Sequence, residues 1–429
     1  MLASAIVLVT AVATAAVLAF TPRIRSSRAW RATVTPLSSI MGSGFLVCAP
    51  LLAGEAGLFA PVAMAVLLLV AFAVGSMIRF NIRYAEPELE DDDEPGEHRL
   101  HRGHRQCSRS HWSRLEQRVA APVERASHVV LAGAYAVSVT YYLQLLAAFV
   151  LDRLGVHDLV ASRVLTTVVL AGIATVGARW GLRALERVET YAVSLNLGTI
   201  AALLVGLAIH DLGLATDGRL ALPRLPFDDD LSHATRVVMG LLIVVQGFET
   251  SRFLGSDHPS EERVSTMRSA QLVASAIYLA FLVLMLPLFD GRALDADVTA
   301  IIGLVAPVAV VLPTLIVVAA VGSQFSAAVA DDAGCAGLTR TMLAGRLSAR
   351  WGYVIIGVAT IGLTWLTDVL SIISLASRAF ALFYALQCAV AVITARAHPD
   401  APHRLRTTVL GSGLAVLTLL IAGLGIPAE

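Results

Sequence analysis

Pro36-Leu37-Ser38-Ser39-Ile40-Met41-Gly42-Ser43-Gly44-Phe45 sets two glycines and three serines inside a stretch that is otherwise long and apolar enough to cross a bilayer. Gln246-Gly247-Phe248-Glu249-Thr250-Ser251-Arg252 does the same in the second half of the chain. Glycine alone is a weak sign, because membrane helices use it for close packing. Position makes it a strong one: each interrupted stretch opens a block of five apolar spans, residues 37–209 and 234–395. An odd number of spans per block forces the two blocks into opposite topology, the arithmetic of an inverted repeat. In such folds the broken helices meet near the bilayer midplane and build the substrate site. Unwinding at Gly42 to Gly44 frees backbone N–H groups suited to an anionic group, and unwinding at Gln246 to Phe248 frees carbonyls suited to an ammonium or a cation.

The rest of the chain fits that reading. Of 429 residues, 57% are hydrophobic and 15% charged, with mean hydropathy +0.74; a soluble chain carries about 25% charged residues. About twelve spans are expected, near residues 3–20, 37–57, 59–80, 127–150, 161–178, 189–209, 234–254, 268–288, 299–327, 352–371, 373–395 and 407–425. Backbone groups in lipid must satisfy one another, so these spans are helices and the fold class is an all-α integral membrane protein. The expected organisation is an extra helix and basic loop (1–34), a first repeat (35–209), an external loop (210–233), a second repeat (234–396) and a peripheral helix (397–429).

Charge supplies the orientation. All 32 basic residues are arginine, and 25 of them fall in one set of alternate loops, against 7 in the other. The arginine-rich side is expected to be cytoplasmic, in a multi-pass protein of the cytoplasmic membrane. Residues 1–20 lack a basic n-region and run straight into an arginine cluster, which favours an uncleaved helix over a signal peptide. The formal net charge of zero leaves no footprint for nucleic acid. Without lysine, neither a Walker nor a Schiff-base lysine is available. The four cysteines have no CxxC spacing, and no disulfide framework is expected. The long loop 81–126 turns from acidic to basic and reads first as a solvated linker. Its His98, His101 and His104 stand at metal-ligand steps but are weak candidates in so arginine-rich a segment.

The GSGF element at Gly42–Phe45 resembles the glycine-rich break of core helix 1 in the amino acid–polyamine–organocation (APC) superfamily. QGFETSRFLG, from Gln246, is similar to that superfamily's core helix 6, and SQFSAAVADDAGCAGLTRTM, from Ser323, to the end of its core helix 8. The resemblance covers roughly residues 35–395. It implies a LeuT-type fold of five plus five helices with discontinuous core helices 1 and 6, working by alternating access on an amino acid or related amine. It also implies that Met41, Gly42, Ser43, Gly44 and Phe45 bind the carboxylate end, that Gln246, Gly247 and Phe248 serve the amine end, and that Tyr141 and Tyr142 offer an aromatic wall. Ordinary packing or the interfacial belt is the plainer role of those tyrosines.

Glu249 is the most informative side chain, because an acid deep in a span costs about 2.5–3.5 kcal/mol on insertion scales. It is expected to carry a proton or lock the broken helix; the plainer alternative is a local pair with Arg252. Asp331 and Asp332 are placed nearer the cytoplasmic edge, solvated or paired with loop arginines. Coupling stays open between a proton on Glu249, sodium at Ser323 and Ser326 as in some relatives, and uncoupled exchange. No cofactor is expected. The rivals are a carrier of an inorganic ion or other metabolite on the same scaffold, a membrane sensor that lost transport, and an intramembrane enzyme. For the last, no HExxH, GxSxG or paired-aspartate set is present.

Overall fold

The computed structural model describes residues 2–42, 44–93, 114–180, 183–220, 222, 231–254, 258–289, 297–342, 349–398, 401 and 403–428. His98, His101, His104 and Ser43 lie outside the described residues. Among the described residues all regular structure is helical: α1 (Leu2–Phe20), α2 (Pro22–Ser26), α3 (Arg28–Gly42), α4 (Phe45–Ala56), α5 (Ala60–Tyr84), α6 (Glu86–Asp93), α7 (Arg114–Arg153), α8 (Leu159–Trp180) and α9 (Arg183–Thr216) in the first half. The second half holds α10 (Leu231–Gly240), α11 (Ser260–Met285), α12 (Ala300–Leu304), α13 (Leu312–Met342), α14 (Ala349–Leu366), α15 (Val369–Ala397) and α16 (Arg404–Leu424). Between α10 and α11 lie two 3-10 turns, Leu242–Val245 and Phe248–Leu254.

Among the described residues, 9 stretches are long and apolar enough to cross a membrane, one of them the combined Phe45–Tyr84 segment. The expected number of spans is reached once that segment is divided at its turn, and the short α14 and the fractured segment 231–254 are added. Helix boundaries shift modestly from those expected. The first core helix begins at Arg28, and the span expected at 299–327 is a short α12 followed by a separate α13.

The five-plus-five arrangement shows in which helices touch. Four of the five corresponding pairs of the two blocks pack together: the α3–α4 pair against the two 3-10 turns, α5 against α11, α7 against α13, and α8 against α14. This pairing fits a pseudo-two-fold axis between inverted repeats. Outside the repeats, α16 packs on α15 and α1 packs on α9. Phe20 at the end of α1 meets Tyr191 near the start of α9, with ring centroids 6.3 Å apart, while Val7 lies against Gly206. The two helices are therefore antiparallel. The outer faces of α1, α8 and α16 present Val9, Val12, Val168, Val409 and Val416 outward, the belt a lipid-facing surface needs.

The arginine-rich loops converge on one face. Arg83 pairs with Glu261, Arg252 with Glu86 and Glu124, Arg263 with Glu86, and His398 with Glu88. At the opposite face Thr299 reaches Asp152 at 3.4 Å, and the Ile426 N–H donates to the Arg236 carbonyl at 3.1 Å.

Candidate functional site

Both breaks occur where the sequence places them, and each is shaped by the other. α3 stops at Gly42 and α4 restarts at Phe45, with Gly44, which has no side chain, at its N-cap. The second helix fractures over a longer stretch, from Leu241 through Gly247. A β-carbon on Gly44 would fall 2.6 Å from Val244 Cγ1, so this glycine exists to admit the second break. Gly247 has φ +111° and lies against the Ser39 and Ile40 backbone, where a β-carbon would meet Ser39 carbonyl carbon at 2.7 Å. No L side chain fits there on either count. Gly42 is different: its β-carbon would find ordinary contact, 3.6 Å from Ala327.

Helix breaks leave carbonyls and N–H groups without helical partners, and neighbouring helices supply several. The Tyr278 hydroxyl on α11 lies within hydrogen-bond reach of two carbonyl oxygens, Ile40 (3.0 Å) in the first broken helix and Val244 in the second. Gln324 Nε2 on α13 donates to the Gly42 carbonyl at 2.9 Å. The Ile243 N–H donates to Ser377 Oγ at 2.9 Å. None of these three partners was singled out from sequence. The available signal was a glutamine or tyrosine deep in an apolar span, where a polar group asks for a partner.

Glu249 is fully buried. Its Oε2 accepts from the Gly247 N–H at 3.0 Å and from the Tyr384 hydroxyl at 2.9 Å, while its Oε1 has no partner among the described residues. Phe248 stacks on Tyr384 with centroids 5.2 Å apart. Gln246 Nε2 donates to the Tyr142 hydroxyl at 2.7 Å; among the described residues its own Oε1 and the Tyr141 hydroxyl have no partner. Phe45 packs its ring against Tyr278 and Phe281, with centroids 5.3 and 4.4 Å away, and Met41 is buried beside the break. Ser323 and Ser326 are both buried on α13, and Ser323 Oγ donates to the Ala320 carbonyl of its own helix.

Two readings from sequence are corrected, the first of them the plainer alternative for Glu249. Glu249 does not pair with Arg252: its carboxylate turns back onto the Gly247 N–H, and Arg252 reaches the other way. Arg252 Nε lies 3.3 Å from Glu86 and a terminal nitrogen 2.8 Å from Glu124, with Gln387 Oε1 accepting a further bond. Gln387 also donates to Glu124 (3.2 Å) and to Ser127 (2.8 Å), and Asn81 donates to Gln387 (3.0 Å). The second correction concerns Asp331 and Asp332, which are buried rather than solvated. Asp331 accepts from Ser138 on α7, because α13 lies along α7 and turns that face inward. Among the described residues no arginine or histidine pairs with Glu249, Asp331 or Asp332.

The sequence pattern described as "APC superfamily transporter" matches residues 22–425. The chain belongs to the APC superfamily of transporters. An uncharacterized protein of Aquifex aeolicus (strain VF5) is 36% identical to this APC transporter over 402 residues, covering 93% of this chain and 92% of the relative. Among solved structures, a Na+-coupled sialic acid symporter in a substrate-bound outward-open state is similar at TM-score 0.48 and 11% identity, over 100% of this chain and 98% of that one. The APC transporter is thus a multi-pass membrane protein built to move a small molecule, and not an enzyme.

Proposed function

We propose that the chain is a secondary active transporter or exchanger of an amino acid or related amine, working by alternating access in the cytoplasmic membrane with its arginine-rich face inside. The observation that carries this reading is the unpaired Glu249 Oε1, fully buried at the interlocked breaks. An unpaired carboxylate oxygen in a low-dielectric interior is costly unless a proton or a positive group joins it. With Asp331 close enough to interact electrostatically and, among the described residues, no basic partner on either, the site favours the ammonium end of a solute. The N-terminus of α4, with a glycine at its N-cap, supports the carboxylate end, since first-turn N–H groups and the helix dipole attract anions.

For coupling, a proton on Glu249 is the reading best supported. Ser323 Oγ, one of the two hydroxyls a sodium ion between α3 and α13 was expected to use, donates to the Ala320 carbonyl of its own helix. Glu249 carries the proton and exchanges it as the breaks separate. A thermal-shift screen of the purified protein against amino acids, amines and alkali cations tests this reading. Stabilisation by an amine-bearing solute supports it, and stabilisation by inorganic ions alone would overturn it in favour of an ion carrier.

A further inference from the structure

A cavity of roughly 770 Å³ opens between α5, α11 and α16 on the arginine-rich face, away from the helix breaks. Its wall carries Arg79, Arg83, Arg268 and Arg406 against one carboxylate, Glu261. Arg83 takes that carboxylate with two bonds, its Nε lying 2.6 Å from Oε1. Three guanidinium groups therefore have no carboxylate partner among the described residues.

Arg79 decides what the cavity asks for. Only 9% of it is exposed, yet its bonds go to neutral acceptors: Gln271 Oε1 and, at 3.5 Å, the Phe72 carbonyl. Its guanidinium also lies 5.0 Å from the centre of the Phe72 ring. Arg268 stands near enough for the two like charges to repel. A buried cation without an anion is strongly unfavourable, and Gln271 is no counter-ion. The Gln271 amide is wedged against α5, donating to the Ala71 carbonyl at 2.9 Å; a β-carbon on Gly75 would fall 2.4 Å from its oxygen. So Gln271 holds Arg79 in place at the cavity wall. From the third side, the first turn of α16 lines the cavity, with His403 at φ 60° and no side-chain cap. Helix N-termini attract anions.

We infer that this cavity is a binding site for a phosphoryl anion, either the headgroup of an anionic phospholipid or a free phosphate. Guanidinium forks match phosphate oxygens in pairs, and basic pockets between helices at the cytoplasmic leaflet suit anionic headgroups. A bound phosphoryl group neutralises Arg79 and Arg268 together and ties α16 to the second helix of each repeat. The site does not depend on which solute is carried.

Thermal unfolding tests it with two probes. The full chain is placed in phosphatidylcholine nanodiscs, with or without phosphatidylglycerol, and separately given inorganic phosphate against sodium chloride of equal ionic strength. The wild type should gain roughly 3 °C or more with at least one probe. A gain with phosphatidylglycerol alone identifies the lipid headgroup, and a gain with inorganic phosphate identifies the free anion. Arg268→Gln combined with Arg406→Gln, both at exposed positions that should leave folding intact, should lose most of that gain. Arg79→Gln should lose it as well, and if that variant does not fold the exposed pair alone decides. No gain by the wild type with either probe, or an equal gain by the double variant, would overturn the site.

Discussion

Gly247 stands against Ser39 so closely that a β-carbon on the glycine would fall 2.5 Å from the serine hydroxyl oxygen. Across the same junction Gly44 meets Val244. Each helix break is thus a socket for the other, and the pair behaves as one element.

Gly247→Ala should therefore disturb both breaks. The substitution combines a collision with a backbone angle that L residues avoid, and strain of this kind costs about 1–3 kcal/mol. We expect a lower Tm and lost solute binding in Gly247→Ala, while Gly42→Ala, which has room, keeps both. Equal behaviour of the two variants would separate the glycines from the interlock.

Tyr278→Phe keeps the ring against Phe45 and removes only the hydroxyl shared by the Ile40 and Val244 carbonyls. Losing a buried hydrogen-bond partner costs about 1–3 kcal/mol. Hydrogen exchange should accelerate together in segments 40–46 and 244–250. Acceleration confined to one segment would show that the tyrosine serves a single helix.

Arg252 and Glu124 are both buried, with side-chain exposures of 5% and 8%, and they join the second broken helix to α7 on the arginine-rich face. Removing one member of a buried ion pair costs about 3–5 kcal/mol, because it strands the other. Arg252→Gln and Glu124→Gln should each lower stability, and the double variant should lose less than the sum of the two. A coupling of about 1–3 kcal/mol is expected from the double-mutant cycle. Additive losses would mean that the pair holds nothing together.

Asp368 caps α15 from outside the membrane-spanning segments, accepting from the Ser371 N–H and hydroxyl. Burial pushes its carboxyl up, but the hydrogen bonds outweigh burial and hold it below the ordinary aspartate value. A depressed folded-state pKa means the cap stabilises above the unfolded pKa and loses that contribution as pH falls through the folded one. Asp368→Ala should cost about 1 kcal/mol at neutral pH. Its deficit relative to wild type should shrink in acid, and a deficit independent of pH would show that the charge contributes nothing.

The glycine breaks, the block structure and the superfamily were legible in sequence because each depends on local composition or on spacing along the chain. What the breaks do to each other was not. Gly44 was read from sequence for its backbone N–H groups alone; its packing against Val244 depends on a contact between residues far apart in the chain. The neutral hydrogen-bonding residues Tyr278, Gln324 and Gln387 were passed over, although polar groups in apolar spans announce themselves. Asp331 was misplaced because hydropathy gives depth along a helix but not which face turns inward. A local pair of Glu249 with Arg252 stood as the plainer alternative, whereas the acidic partners of Arg252 come from α6 and α7.

Glu249 is the proposed acid of the solute site at the two breaks. The most direct measurement is uptake of labelled amino acids and amines into proteoliposomes under an imposed pH gradient, comparing wild type with Glu249→Gln at matched insertion. The wild type should accumulate at least one amine-bearing solute saturably, and the variant should lose gradient-driven accumulation while keeping counterflow between compartments of equal pH. Accumulation by Glu249→Gln at the wild-type rate would contradict the account.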